Sequence, residues 1–232
     1  MSPRTEIGYV RDIVYAAVLY LLAACTQKVD DPVTILNGHT MGTTWKVTIR
    51  HIPQGHTQQE LQILIAADFD HIDAEVSHWR PDSSVSRFNR TFTTTPFPVE
   101  TDLQRILGQS QIIHQKSSGA FDITIAPLVN LWGFGPVEST RGNTPSAEEI
   151  EKAHGISGMG KLKLLADGTI RKTHPGLQFD LSALAKGYAI DKAVKSLDAL
   201  GVQHYLIELG GELRAKGNGF KGEGWQVGLE HP

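Results

Sequence analysis

Leu177-Gln178-Phe179-Asp180-Leu181-Ser182-Ala183-Leu184-Ala185-Lys186-Gly187-Tyr188-Ala189-Ile190-Asp191 reads as the end of a short strand that turns directly into a helix. Ile190, Ala193, Val194, Leu197 and Leu200 follow at helical spacing, so one stripe of that helix faces a core. One turn further back the stripe meets Lys186 and Gly187. A lysine needed only for solubility would sit on the opposite face with Lys192 and Lys195. Lys186 points instead toward the protein, and Gly187 lets another backbone come close. Free N–H groups at the helix start suit a phosphate. Asp180 at the strand exit could accept hydrogen bonds from a ligand or help hold a cation. Two readings stay open on these residues alone: a ligand site, or a Lys lying along an apolar groove with an Asp capping the helix.

Of the 232 residues, 40% are hydrophobic and 20% charged, which suits a sizeable core in one large domain or two small ones. The net charge is −3, with no basic block and no aromatic–basic interleaving, so nucleic acid is not an expected partner. Arg4 and Arg11 flank the start of an apolar run from Ile13 to Ala24, too short to span a bilayer comfortably but suited to a signal peptide. It ends in Leu22-Ala23-Ala24-Cys25, similar to a bacterial lipobox, and Cys25 is the single cysteine of the chain. The expectation is a signal peptide over 1–24, lipid on Cys25 as an anchor to the bilayer, and a polar tether over 25–34. A buried core helix with Cys25 packed as a small hydrophobe is the alternative.

Further along, Thr44 to Arg50 alternates as a strand. Thr57-x-x-Glu60 is a capping box opening a helix whose stripe is Leu61, Ile65, Phe69, Ile72, Val76 and Trp79, with Pro81 as its stop. Asp68, Asp70, His71, Asp73 and His78 lie mostly off that stripe and read as a solvated face. A helix is predicted from about Asp102 to Lys116, ending at Gly119, and a strand over 120–125. Ser146-x-x-Glu149 caps a short helix, and Asp167-Gly168 marks a hairpin between Lys161–Leu165 and Thr169–Thr173. Gly158-Met159-Gly160-Lys161 and Gly210-Gly211 read as turns. Tyr205–Leu209 and Trp225–Leu229 are two more expected strands. Helices mixed with hairpins give an α+β class with mixed sheets. No HExxH, CxxC or GxSxG occurs.

Six blocks remain in order: Met41 to Trp45; Trp79 followed by Asp82 to Asn89; Gly119 to Thr124; Leu128 to Phe134; the opening stretch; and Glu208 to Glu212. Together, from about residue 35 to the end, they resemble the ApbE family of bacterial FAD:protein FMN transferases. The resemblance implies a fold related to tandem T-fold units, with FAD bound between sheet and helices. It implies Mg²⁺-dependent transfer of FMN from FAD to a Thr or Ser of a partner, such as the flavin-carrying subunits of exported or membrane redox complexes. It also implies a periplasm-facing lipoprotein of the bacterial cell envelope. Met41, Trp79, Ala120, Phe121, Asp122, Asp180 and Lys186 match FAD-contacting positions, and Ala183 matches a position whose carbonyl binds the metal. No catalytic residue is assigned. The family domain continues beyond Pro232 with a His segment and the Asp and Thr that complete the metal site, so the chain is expected to be C-terminally incomplete. The functional alternatives are a flavin-binding lipoprotein without turnover, and a pyrophosphatase giving FMN and AMP.

Overall fold

A computed structural model describes residues 33–136, 142, 144–220 and 222–228. The expected leader, Cys25 and most of the tether lie outside these residues. The elements run β1 (Thr34–Thr40), β2 (Thr43–Ile49), α1 (Gln58–Val76), α2 (Ser84–Arg90), β3 (Phe97–Pro98), α3 (Thr101–Lys116), α4 (Ala126–Leu131), α5 (Ala147–Ile156), β4 (Leu162–Leu164), β5 (Thr169–Lys172), α6 (Ser182–Ala199), β6 (Tyr205–Leu209) and β7 (Glu212–Lys216). Among the described residues no helix is long and apolar enough to cross a membrane.

The α+β class holds, with one correction. The strands form a four-stranded sheet in the order β1-β2-β6-β7 and a three-stranded sheet in the order β3-β5-β4, and every ladder among the described residues is antiparallel. The sheets are therefore not mixed. Period-two alternation buries Trp45, Val47 and Ile49 from β2 and Tyr205, Ile207 and Leu209 from β6. Helices α1 and α6 pack on these strands and on each other. The inner face of α6 is Ala185, Ala189, Ile190, Ala193 and Leu197, and its alanines let α1 approach closely. The α1 capping box forms as read: Thr57 Oγ1 accepts from Glu60 N at 3.2 Å, and Glu60 Oε2 from Thr57 N at 2.8 Å. Its stripe from Leu61 to Val76 is buried.

That helix stops at Val76, well before Pro81. The carbonyls it would have used are taken by serines of the next turn: Ser83 Oγ and Ser86 Oγ donate to Ser77 O, and Ser86 Oγ also to His78 O. Trp79 is thereby released from the stripe and is 55% exposed. The expected strand over 120–125 is a 3₁₀ turn, Ile123–Ile125, because Asp122 Oδ1 takes the N–H of Thr124 at 2.7 Å. Leu177 to Leu181 belongs to no sheet, since Asn89, Lys172 and the carbonyls of His174 and Ile123 satisfy its backbone. Residues 225–228 form no strand, a correction to the expected strand over Trp225–Leu229, and among the described residues β7 is an edge of the four-stranded sheet. Trp225 Nε1 donates to Lys216 O at 2.9 Å and covers only the end of that edge. The hairpin at Asp167-Gly168 and the cap at Ser146 are as read.

The acidic and histidine residues of α1 do not form a purely solvated face. Asp68 accepts from Ser196 of α6, and His71 reaches Asp102 of α3 at 3.0 Å. Asp102 also receives Lys192 Nζ at 2.6 Å and Tyr188 Oη at 2.7 Å, tying α1, α3 and α6 together. Burial would raise the Asp102 carboxyl, but Lys192, Tyr188 and His71 outweigh it and hold it down at about 2. A depressed carboxylate contributes stability above its unfolded value, 3.8, and loses it as pH falls through about 2. Asp102→Asn is therefore expected to remove about 2 kcal/mol at pH 6 and almost nothing near pH 2, read by urea unfolding at both.

Candidate functional site

Two hairpin turns meet at one end of the four-stranded sheet. Thr40 pairs with Thr43 across Met41-Gly42, and Leu209 with Glu212 across Gly210-Gly211. All four turn residues have positive φ, +48°, +72°, +53° and +91° in that order. Met41 is the non-glycine among them, held left-handed beside the candidate site. A Cβ on Gly210 would lie 2.7 Å from Thr43 Cγ2 and 3.3 Å from Lys186 Cδ, so this glycine is required by close approach. The expectation of such an approach at Gly187 is not met, because the space a side chain would take there is open.

Lys186 leans from α6 onto this corner. Its Nζ donates to Gly210 O at 2.9 Å and stands 3.1 Å from Glu212 Oε2. It is inward-facing as read, but its first partners are a carbonyl and a carboxylate, and one of its three N–H donors is left for a ligand. The N-cap of α6 is Leu181, and Asp180 braces the helix start from the residue before it: its Oδ1 receives Ser182 N at 2.8 Å and Ser182 Oγ at 2.6 Å. The same oxygen lies 3.3 Å from His78 Nδ1. Burial pushes the Asp180 carboxyl up, but His78 and Ser182 overcome it and leave it below the ordinary value.

Two cavities adjoin here, sharing His78 and Trp79. The smaller, about 100 Å³, is lined by Met41, Asp73, Ser182, Ala185 and Lys186 besides the shared pair. The larger, about 390 Å³, is lined by Asn89, Val129, Asn130, Gln178 and Asp180 among others. Four of the FAD positions taken from the resemblance, Met41, Trp79, Asp180 and Lys186, thus converge. Ala120, Phe121 and Asp122 line neither cavity. Phe121 N donates to Ser117 Oγ at 2.9 Å, its carbonyl lies 2.7 Å from His114 Nδ1, and Asp122 Oδ2 receives Met159 N at 3.0 Å. They reach the site through backbone: Asp180 N donates to Ile123 O at 2.7 Å. Ala183 lies on the far side of the α6 start, lining a third cavity with Gln109, Asp191 and Glu212.

The loop carrying Asp180 is fixed from outside. Asn89 Nδ2 donates to Phe179 O at 2.9 Å and Asn89 Oδ1 accepts from Phe179 N at 3.0 Å. Lys172 Nζ donates to Leu177 O at 3.0 Å and Phe88 O at 3.1 Å from a fully buried position. Phe179 stacks on Phe88 with ring centres 4.7 Å apart. Sequence reading placed Asp73 and His78 on a solvated face, a correction here since both line the smaller cavity, and it did not single out Lys172. The cluster of acidic and histidine residues running up to Trp79 was the available signal.

The model of the ApbE family matches residues 41–232. The chain is 34% identical over 227 residues to a FAD:protein FMN transferase of Haemophilus influenzae, covering 95% of this chain and 64% of that protein. It is 34% identical over 236 residues to the protein of the same description from Escherichia coli K12, covering 98% and 66%. Its backbone matches the solved flavin transferase ApbE from Vibrio cholerae with a TM-score of 0.82 at 34% identity, over 87% of this chain and 65% of that one. The chain spans 64 to 66% of the length of these curated relatives.

Proposed function

The chain belongs to the ApbE family, and from that premise we propose that it binds FAD and transfers FMN to a Thr or Ser hydroxyl of a partner flavoprotein. The observation that carries this reading is the convergence of Met41, Trp79, Asp180 and Lys186, from distant parts of the chain, on two adjoining cavities. In the reaction the acceptor oxygen attacks the FMN phosphorus and the P–O bond to AMP breaks. AMP keeps the electron pair, and the hydroxyl proton goes to solvent or base. This chain's part is binding and charge: Trp79 offers a flat half-exposed face, and the remaining N–H of Lys186 and the start of α6 favour phosphate. With water in place of the hydroxyl the same cleavage gives FMN and AMP. Without cleavage the domain is a flavin-holding lipoprotein.

The described residues do not fit a Mg²⁺ site by themselves. No group of three or more His, Cys, Asp or Glu converges among them, and Ala183 offers one carbonyl where Mg²⁺ takes six oxygens. Mg²⁺ dependence therefore stands as a proposal requiring oxygens beyond this set, and no step here runs through it. The proposal extends to a lipid anchor at Cys25 and a periplasm-facing place in the envelope, supported by Leu22-Ala23-Ala24-Cys25. It extends also to acceptor subunits of exported or membrane redox complexes.

Incubation with FAD, Mg²⁺ and a flavin-acceptor domain, followed by a denaturing gel, tests transfer through fluorescence left on the acceptor. Binding is tested separately. Lys186→Ala is expected to weaken FAD roughly ten- to hundredfold and riboflavin hardly at all, because the lost bond is to phosphate. Equal losses for the two ligands would show that Lys186 only braces the Gly210 turn.

A further inference from the structure

The junction of the two cavities holds two buried side-chain atoms that no described residue satisfies. His78 is 10% exposed at its side chain and Asp180 12%. The Asp180 carboxylate only accepts, so His78 Nδ1 carries the proton facing it. In the neutral ring Nε2 is then an acceptor, and it is buried with no hydrogen-bond partner. Asp73 Oδ1 is likewise buried and unpartnered, while Oδ2 lies 3.6 Å from Arg80 Nη1. Burial holds the Asp73 carboxyl above its ordinary value despite Arg80, as expected of an under-satisfied oxygen. Both residues line the smaller cavity, and His78 also lines the larger.

An orphaned buried acceptor is expensive, and native proteins leave few of them. Two on one cavity wall call for a donor from beyond the described residues. The anionic Asp73 and Asp180 beside them disfavour a phosphate or a keto oxygen in that corner. The Trp79 ring is shared by both cavities and lies 5.3 Å from the His78 ring at 38°, a flat platform for a planar group. We propose that His78 Nε2 and Asp73 Oδ1 form a donor-reading corner for an amino or imide N–H on the edge of a heteroaromatic ring of the bound ligand. This rests on the flavin-dinucleotide reading above and deepens it. Adenine offers an exocyclic amino group and isoalloxazine an imide N–H, so the corner can be filled by either end of FAD.

The test measures dissociation constants for the 232-residue chain with three ligands. These are FAD, the dinucleotide whose adenine amino group is replaced by a keto oxygen, and FAD methylated at the isoalloxazine imide nitrogen. Wild type is expected to bind one of the two analogues roughly ten- to hundredfold more weakly than FAD, and which one identifies the ring in the corner. His78→Asn keeps an amide donor toward Asp180 but deletes the second ring nitrogen, and should bring all three ligands within about threefold of one another. Asp73→Asn, which replaces the carboxylate without touching His78, should narrow the gap independently. Equal binding of all three ligands by wild type overturns the corner and leaves the dinucleotide reading intact. Discrimination that survives undiminished in both variants also overturns it. Failure of wild type to bind any of the three overturns both readings.

Discussion

Lys172→Ala is expected to cost about 2 to 4 kcal/mol of folding stability, while Lys172→Met stays within about 1 kcal/mol of wild type at pH 7. Lys172 alternates inward on β5 with Ile170 and is 1% exposed. Its ammonium sits 4.6 Å from the centre of the Phe88 ring, with two carbonyls and no carboxylate as partners. Burial drives its pKa from 10.5 to about 8, which corresponds to roughly 3 kcal/mol against the charged form. Methionine keeps the packing and removes that penalty, which offsets the lost bonds. Alanine leaves a cavity as well as an undonated Leu177 carbonyl. The sign of the pH dependence separates these terms. Between about 8 and 10.5 the unfolded chain holds the Lys172 proton and the folded chain has released it, so stability from this group rises with pH. Wild type should therefore gain on Lys172→Met by about 3 kcal/mol between pH 7.5 and 10.5, measured by urea unfolding. A flat difference across that range would mean that Lys172 is not carrying a desolvated charge.

Asn89→Ala should weaken FAD roughly ten- to hundredfold and cost about 2 to 3 kcal/mol of stability. The stretch from Leu177 to Leu181 has no strand beside it, so its geometry depends on Asn89, Lys172 and Ile123 O. Losing the Asn89 amide orphans both backbone groups of Phe179, one residue before Asp180. Asp180 would then no longer hold His78 Nδ1 and Ser182 N in their present relation. Asn89→Asp is the sharper probe. It keeps an acceptor for Phe179 N but sets a carboxylate oxygen against Phe179 O, so affinity should fall at least as far. FAD titration and urea unfolding on both variants check this. Unchanged affinity with reduced stability would confine Asn89 to holding the fold.

Much of the frame was legible because it is local. Capping boxes at Thr57 and Ser146, the α1 and α6 stripes and the Asp167-Gly168 turn are decided by residues within a turn or two of each other. β1 and β7 escaped notice because they are edges. Thr-Ile-Leu-Asn-Gly-His-Thr and Glu-Leu-Arg-Ala-Lys carry polar and glycine residues that an edge tolerates and that look like loop. The apolar alternation from Trp225 looked like a strand but has no described neighbour to pair with. At the site the limit was different. His78 sits in a run of charged residues, and nothing near it reveals that Asp180, far along the chain, will turn it inward. Family motifs supplied Met41 and Trp79, while Asp180 and Lys186 already stood out in the Leu177–Asp191 stretch with two readings open. The orphaned atoms of His78 and Asp73 exist only in three dimensions.

The β2–β6 ladder also fixes when the site can exist. It joins Trp45 to Leu209, Val47 to Ile207 and Ile49 to Tyr205, residues far apart in the chain. Closing a loop of that size carries an entropic cost of roughly 4 to 5 kcal/mol before any contact is returned. Helices α1 and α6 can begin to form from their own sequences in microseconds, but the two hairpin turns cannot stand side by side until the ladder zips. The Met41 turn leaves a ribosome long before the Gly210 turn, with all of α1 to α6 made in between. A nascent chain therefore carries the aromatic half of its ligand site, while everything from α1 to β6 is made, without the lysine-bearing half docked beside it.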